Sequence, residues 1–430
     1  MPPSLPAALA YLDGHVNFET APSRRAHPTL ERMRALCAFL GEPQSAYPVV
    51  HLTGTNGKGS SARMISSLLA AHGLSVGTYT SPHLERVNER IVWNGEQIHD
   101  DTLAGALLAC EPIEEHMGAR LTHFEVLTAA ALRWFADVAV DVAVLEVGLG
   151  GRWDSTNVAD GVVAVVTNVG LDHAEVIGPT RADIAREKAG IVKPGSTLVL
   201  GEPDPALYPI FEAQGAGATW ARNREFGWTR NLVAVGGRLV DLYTPSGTTG
   251  DVFVPLHGPH QGDNAACALA ATEAFFGRPL DGRTVTDAFA AVVVPGRFEI
   301  VGRRPLVVLD GAHNPEGARA ARLTLDDDFA GRSPDILVVG FTGNRDPGEM
   351  LRALDAARSR LVIACKPPSP RGLDPSLVAA AAASLGARAE VVPSAAAAAA
   401  RALEEAGEDE FVLVTGSLHV VGEARSVLVG

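Results

Sequence analysis

Gly54-Thr55-Asn56-Gly57-Lys58-Gly59-Ser60-Ser61 lies between an apolar, β-branched run, Tyr47 to Thr53, and a helical pattern from about Ser60 to His72. Glycines at a strand-to-helix turn let backbone N–H groups face an anion, and Lys58 adds the compact charge that meets β- and γ-phosphates. A hydroxyl just beyond the lysine can reach a magnesium ion held by such phosphates. The spacing departs from GxxxxGK[ST], because the first glycine is nearer and Gly59 separates Lys58 from Ser60. The plain alternative is a Gly-rich turn that only starts a helix.

Further polar groups sit where apolar runs end. Glu146 closes Val142 to Val147 and is followed by Gly148-Leu149-Gly150-Gly151-Arg152. An acid at the carboxyl end of a parallel strand faces the ligand crevice and is a natural magnesium ligand. Gly170-Leu171-Asp172-His173 follows Val162 to Thr167, and there a metal or phosphate role stands evenly against a structural histidine. Thr80-Ser81-Pro82-His83 follows a third strand end and reads equally as a turn. Glu187-Lys188-Ala189-Gly190-Ile191-Val192-Lys193 ends a helical pattern; read alone, it is basic charge at a helix C-terminus with Gly190 as the cap. Asp310-Gly311-Ala312-His313-Asn314-Pro315 suits ribose or phosphate contact. Pro295-Gly296-Arg297-Phe298-Glu299 puts an arginine at a domain junction, where closure of the domains would carry it into a nucleotide site.

Lysine is scarce: Lys58, Lys188, Lys193 and Lys366 are the only four among 36 basic residues, and the first three fall in these motifs. Only an amine can be carbamylated, so a retained lysine in an arginine-rich chain has chemical meaning. The net charge of −14 argues against a nucleic-acid-binding face. Cys37, Cys110, Cys267 and Cys365 form no CxxC pair, which fits a reducing compartment. No apolar run reaches the ~20 residues that span a bilayer, and no signal peptide is visible. The expectation is a cytoplasmic protein with no membrane and no nucleic-acid partner.

These motifs need strands to carry them. Apolar runs alternate with helical patterns at about 100–117 and 123–138, which predicts a doubly wound, mostly parallel α/β sheet over 1–295. Short β-like pieces over 218–256, such as Leu239 to Tyr243 and Val252 to Leu256, predict a small antiparallel addition. From 296 to 430 a second alternating series predicts a C-terminal Rossmann-like α/β domain: strands 306–310, 336–341, 360–365, 389–392 and 411–414, with helices 315–325, 347–357, 375–385 and 394–407 between them. The alanine run 395–400 reads as a plain surface helix.

The motifs together resemble folylpolyglutamate synthase and dihydrofolate synthase, of the Mur ligase superfamily. The resemblance rests on Gly54 to Ser60, Thr80 to His83, Asn88-Glu89-Arg90-Ile91, Leu121 to Glu125, Glu146 to Asp154 with Thr156-Asn157, and Gly170 to His173. It continues through Glu187 to Ile191, His260-Gln261 with Asn264, Pro295 to Arg297 and Asp310 to Pro315. These run in family order from about residue 28 to 420. Gly343-Asn344-Arg345-Asp346 departs from the pattern, standing where the family often shows a Lys-Asp pair.

The resemblance implies ATP-dependent addition of L-glutamate to dihydropteroate, to tetrahydrofolate (poly)glutamates, or to both, through an acyl phosphate. It implies that Gly54, Thr55, Asn56, Gly57, Lys58, Gly59 and Ser60 hold ATP together with Asn264, Arg297, Asp310 and His313. Ser81, Glu146 and His173 would bind two Mg2+ ions, and Lys188 would be carbamylated, displacing the helix-cap reading. Lys58, Lys188, His173 and Arg297 would be catalytic. Thr122, Phe124 and Asp154 would contact a pterin, an aromatic face stacking on the heterocycle and an acid accepting its N–H donors. The family leaning is a monomer. Two other readings are a ligase adding an amino acid to a UDP-linked muramyl precursor and a nucleotide-binding regulator without turnover.

Overall fold

The computed structural model describes residues 4–18, 29–343 and 345–429. Asn344 and residue 28 of the resemblance lie outside them. The chain divides into two compact units: Met1–Arg230, Val240–Phe253 and Gly262–Val292 form one, and Asn231–Leu239, Val254–Gln261 and Val293–Gly430 the other. A contiguous division at 295 would leave 231–239 and 254–261 with the first unit; their packing groups them with the second.

The first unit is built on an eight-stranded sheet. Its strands are β1 (Val49–Thr53), β2 (Val76–Tyr79), β3 (Ile91–Trp93), β4 (Glu96–Gln97), β5 (Val142–Glu146), β6 (Gly161–Val166), β7 (Thr197–Leu200) and β8 (Ala218–Ala221), in the order β4-β3-β2-β5-β1-β6-β7-β8. All pairs are parallel except β2 with β3 and β3 with β4. Every residue of β1 and β5 is buried, as helices on both faces require. One core joins the helices Glu31–Phe39, Asp100–Leu108 and His123–Asp137 to Val49, Ala143 and Leu145. Another joins Ile184 and Ala185 to Ala164, Val166, Leu198 and Leu200.

The predicted antiparallel addition is narrower than 218–256. Ala218–Ala221 is β8, the parallel edge of the main sheet. The addition consists of β9 (Gly227–Ala234), β10 (Gly237–Thr244) and β11 (Gly247–Val254), in the order β11-β10-β9. Connections of two residues, Val235-Gly236 and Pro245-Ser246, force neighbouring strands to run antiparallel. The helical pattern over 100–117 is likewise two helices, Asp100–Leu108 and Glu111–Met117.

The second unit holds a six-stranded sheet: β12 (Glu299–Arg303), β13 (Leu306–Leu309), β14 (Ile336–Val339), β15 (Leu361–Cys365), β16 (Ala389–Val392) and β17 (Phe411–Thr415), in the order β12-β13-β17-β14-β15-β16. Only β12 runs antiparallel, against β13. The alanine helix, Ala395–Glu405, is not a plain surface helix. Ala395, Ala398, Ala399 and Ala402 are buried, at a spacing that forms one helical face. Small side chains there let the helix approach Leu418–Leu428 and β14 closely.

Ala398→Leu should therefore overpack this face and cost about 1–3 kcal/mol. Ala400→Leu, on the exposed side, should stay within about 0.5 kcal/mol. Urea midpoints at unchanged slope measure both.

Candidate active site

The phosphate-type loop connects β1 to the helix Lys58–Ala71, whose cap, Gly57, is left-handed at φ 83°. Two glycines are required by close approach. A Cβ on Gly54 would come within 1.8 Å of Thr167 Oγ1, and one on Gly57 within 2.3 Å of Asn264 Oδ1. Asn264, predicted from the resemblance, is thus seated on the loop.

The loop is bolted to the end of β6. Asn168 Oδ1 accepts from the Asn56 N–H at 2.9 Å and the Thr55 N–H at 3.2 Å, and Asn168 Nδ2 donates to Asn56 O at 3.1 Å. Thr167 Oγ1 donates to the same carbonyl at 2.7 Å, and the Gly170 N–H donates to Thr55 Oγ1 at 2.9 Å. The N–H groups of Thr55 and Asn56 are therefore spent on the scaffold. Those of Lys58, Gly59 and Ser60, in the first helical turn, have no intrahelical acceptor and are the ones placed for an anion. Lys58 Nζ folds back onto Gly54 O at 3.0 Å and Thr55 O at 3.3 Å.

Glu146 stands at the end of β5, buried. Its Oε2 accepts from the Ser81 N–H at 3.1 Å, and a Cβ on Gly59 would lie 3.5 Å from the same oxygen. Ser81, Glu146 and the start of the Lys58 helix thus converge. His173 lies on the loop after β6 at φ 52°, partly exposed, with its N–H donating to Asp172 Oδ1 at 2.9 Å. Arg181 and Glu202 hold that loop at its base: Glu202 Oε2 accepts from the Val169 N–H at 2.7 Å, Arg181 Nε donates to Val169 O at 2.9 Å, and Arg181 pairs with Glu202 at 2.7 Å. Among the described residues no three His, Cys, Asp or Glu side chains gather around one point.

Lys188 corrects the helix-cap reading. The helix Arg181–Lys188 ends on it, but the residue is 4 % exposed, not a solvated terminal charge. Burial pushes its amine down to about 7, with the Lys58 charge acting the same way and Asp172, Glu187 and Asp154 opposing. Gly190 is no left-handed cap. A Cβ on it would sit 2.5 Å from Arg152 Cα, so it is there for backbone approach. Gly151 crosses just above Lys188, where a Cβ would fall 3.1 Å from the Lys188 Cα. Lys193 ends in a surface pair with Asp160 at 3.2 Å.

The three predicted pterin contacts have structural duties as well. Thr122 caps the helix His123–Asp137, its Oγ1 accepting from the Glu125 N–H at 3.2 Å. Phe124 packs under Gly148, where a Cβ would meet its Cζ at 2.6 Å, and lies 5.9 Å from the Tyr79 ring. Asp154 is buried and accepts from the Leu149 N–H at 2.9 Å and the Thr156 N–H at 3.0 Å; burial raises its carboxyl pKa against these bonds.

In the second unit, Asp310 ends β13. Its oxygens accept from the N–H groups of Ala312 at 3.1 Å and Phe298 at 3.3 Å. Burial pushes its carboxyl up and the Arg297 charge pulls it back. A Cβ on Gly311 would come within 2.8 Å of Arg297 Nη1, and His313 Nδ1 lies 3.0 Å from Gly311 O. Glu299 fixes the turn that carries Arg297, accepting from the Gly296 N–H at 2.8 Å and pairing with Arg425 at 2.9 Å.

Family models match both parts: Mur ligase middle domain over 52–272, and Mur ligase, glutamate ligase domain over 296–418. The dihydrofolate synthase/folylpolyglutamate synthase of Mycobacterium tuberculosis is 40 % identical over 392 residues, covering 86 % of this chain and 80 % of that protein. The chain belongs to this family. Among solved structures, Mycobacterium tuberculosis folylpolyglutamate synthase complexed with ADP matches at TM-score 0.88 and 36 % identity, covering 99 % of this chain and 98 % of that one. Escherichia coli FolC in complex with DHPP and ADP matches at TM-score 0.86 and 32 % identity, covering 99 % and 97 %. The muramyl ligases are relatives only at the level of the superfamily. No helix among the described residues is long and apolar enough to cross a membrane.

Sequence reasoning missed Asn168, Arg181 and Glu202; Glu187, named only as part of its motif, is a half-buried acid whose Oε1 accepts from the Trp153 N–H at 3.2 Å. The Thr167-Asn168 pair, one residue before Gly170, was a readable signal; Glu202 was not.

Gly57→Ala should displace Asn264 and weaken binding of a non-hydrolysable ATP analogue at least about tenfold, since neither the backbone conformation nor the contact tolerates a Cβ. Calorimetric titration checks this, with circular dichroism reporting an intact fold.

Proposed function

We infer that the chain is an ATP-dependent ligase that joins L-glutamate to a pterin-bearing carboxylate acceptor, dihydropteroate or a reduced folate. Family membership supports the reaction, and the convergence of the Lys58 helix start, Ser81 and Glu146 is the observation that supports its placement in the first unit. The acceptor carboxylate oxygen attacks the γ-phosphorus of ATP, ADP leaves, and an acyl phosphate forms. The glutamate amine then attacks the acyl carbon, loses a proton, and phosphate leaves.

The first-turn N–H groups of Lys58, Gly59 and Ser60 aim at the transferring phosphoryl oxygens, where fixed donors stabilise developing charge. Lys58 turns from Gly54 O and Thr55 O to the β,γ-bridge. Asn264 fixes the loop from above. In the second unit, Arg297, Asp310 and His313 are assigned to the nucleotide, with Asp310 accepting from ribose hydroxyls.

The donor set fits magnesium. One buried carboxylate, a serine and an imidazole are too few for a preformed cage, and Mg2+ characteristically takes one or two protein oxygens plus phosphate and water. Ser81, Glu146 and His173 are the residues assigned to hold it; bound there, it neutralises phosphate charge. Lys188 is assigned as carbamylated: its unprotonated amine adds to CO2, forming an N–C bond and releasing a proton. A buried amine held near 7 supplies the neutral form, and the product presents an anion beside the Lys58 charge. Thr122, Phe124 and Asp154 are assigned to the pterin. The chain acts as a monomer.

ADP release should require L-glutamate and either dihydropteroate or tetrahydrofolate; release independent of both acceptors would overturn the ligase assignment. Lys188→Arg should fold and lose activity by at least about a hundredfold, since a guanidinium forms no such carbamate. The unaltered chain in 13C-bicarbonate should show a carbamate carbon that Lys188→Arg lacks. Parent activity in Lys188→Arg, or no such signal, would return Lys188 to a structural role.

A further inference from the structure

His51 is the third residue of β1 and is fully buried. Its Nε2 lies 2.8 Å from Thr156 Oγ1, while its Nδ1 is buried with no hydrogen-bond partner. Thr156 is equally buried, and its hydroxyl donates to Asp154 Oδ1 at 2.5 Å. A hydroxyl has one proton and a carboxylate only accepts, so the order of protons along the chain is set. His51 Nε2–H donates to Thr156, and Thr156 donates to Asp154. The ring is neutral, because an imidazolium buried without a counter-ion is costly.

Asp154 passes the constraint on. Its Oδ1 also accepts from the Thr156 N–H, and its Oδ2 accepts from the Leu149 N–H at 2.9 Å. Leu149 follows Gly148, the residue seated on the Phe124 ring. Thr53, two residues beyond His51 on the same side of β1, donates to Gly150 O at 2.7 Å. Two side chains of the strand that leads into the phosphate loop therefore fix the loop after β5.

Stability does not explain this arrangement. A leucine at position 51 would fill a buried parallel strand without stranding a ring nitrogen, and an unsatisfied buried acceptor is destabilising. We propose that His51 and Thr156 are positioning residues that hold Asp154, and with it the Gly148–Asp154 loop, in the orientation that receives the pterin. This rests on the assignment of Asp154 and Phe124 to that substrate. The relay's hydrogen bonds run from β1 to the loop after β5 and not to the start of the Lys58 helix, so its loss falls on the pterin and not on ATP.

Steady-state kinetics on the full chain test this, with the dihydropteroate or tetrahydrofolate acceptor varied at saturating ATP and L-glutamate. Thr156→Val removes the hydroxyl at nearly constant volume and should raise the acceptor KM about tenfold, the scale of one lost hydrogen bond to a charged group. The KM for ATP and kcat should stay within about twofold. Thr156→Ser keeps the hydroxyl and should restore the acceptor KM. In 15N-histidine spectra of the unaltered chain, His51 should show the Nε2–H tautomer and should not titrate between about pH 5 and 8. An Nδ1–H tautomer, or a titrating His51, would overturn the relay even if Thr156→Val failed to fold. Asp154→Asn separates the two levels. If it leaves the acceptor KM unchanged, the assignment of Asp154 to the pterin fails. If it raises that KM while Thr156→Val matches the parent, the positioning proposal fails.

Discussion

Charge is expensive inside a sheet covered on both faces, and that cost decides where chemistry can sit in this chain. β1 and β5 bury every side chain they carry, so charged groups are tolerated only where strands end, and the one ionisable side chain inside β1, His51, is kept neutral by its burial. Glu146 and Asp310 stand at strand ends, and His173 lies on the loop that follows one. Desolvation then tunes the groups that remain. The same burial that would make Lys188 a poor structural cation holds its amine near neutrality, and it pushes the Asp154 carboxyl up against the hydrogen bonds from Thr156 and Leu149.

A second constraint is backbone proximity. Gly54 on Thr167, Gly57 on Asn264, Gly148 on Phe124 and Gly190 on Arg152 are places where two segments touch with no room for a methyl group. The contact of Gly54 with Thr167 ties the loop after β1 to the end of β6, and the Thr53 hydroxyl, donating to Gly150 O, ties β1 to the loop after β5. Loops built this way keep their donors aimed without a ligand to order them, and such preorganisation is what electrostatic catalysis of phosphoryl transfer requires. The side-chain bolts of Asn168, Glu202 and Glu187 complete it by consuming the N–H groups that do not serve the site.

The alternation of apolar runs with helical patterns made both parallel sheets legible, because period and burial are local properties of a segment. The phosphate-type loop, Glu146 and Asp310 stood out for a related reason, since their neighbours in sequence are glycines and strand ends, whereas Lys188 read alone gave only a helix cap. What failed was whatever depended on a distant partner. Ala395–Ala400 read as a surface helix because alanine propensity says nothing of the helix and strand it packs against. Ala218–Ala221 read as part of an antiparallel piece because four residues cannot show which sheet they join.

By itself, the sequence determined the alternating architecture, the strand-end placement of the polar motifs and the family, since each is written in short contiguous stretches. Only the tertiary structure decided that Lys188 is buried, that Asn264 rests on Gly57, that Asn168 spends the N–H groups of Thr55 and Asn56, and that His51 reaches Asp154 through Thr156. The physical reason is range. Desolvation and hydrogen bonding act over a few ångströms, and residues 51, 154 and 156, or 57 and 264, come within that range only when separate strands and helices are packed together.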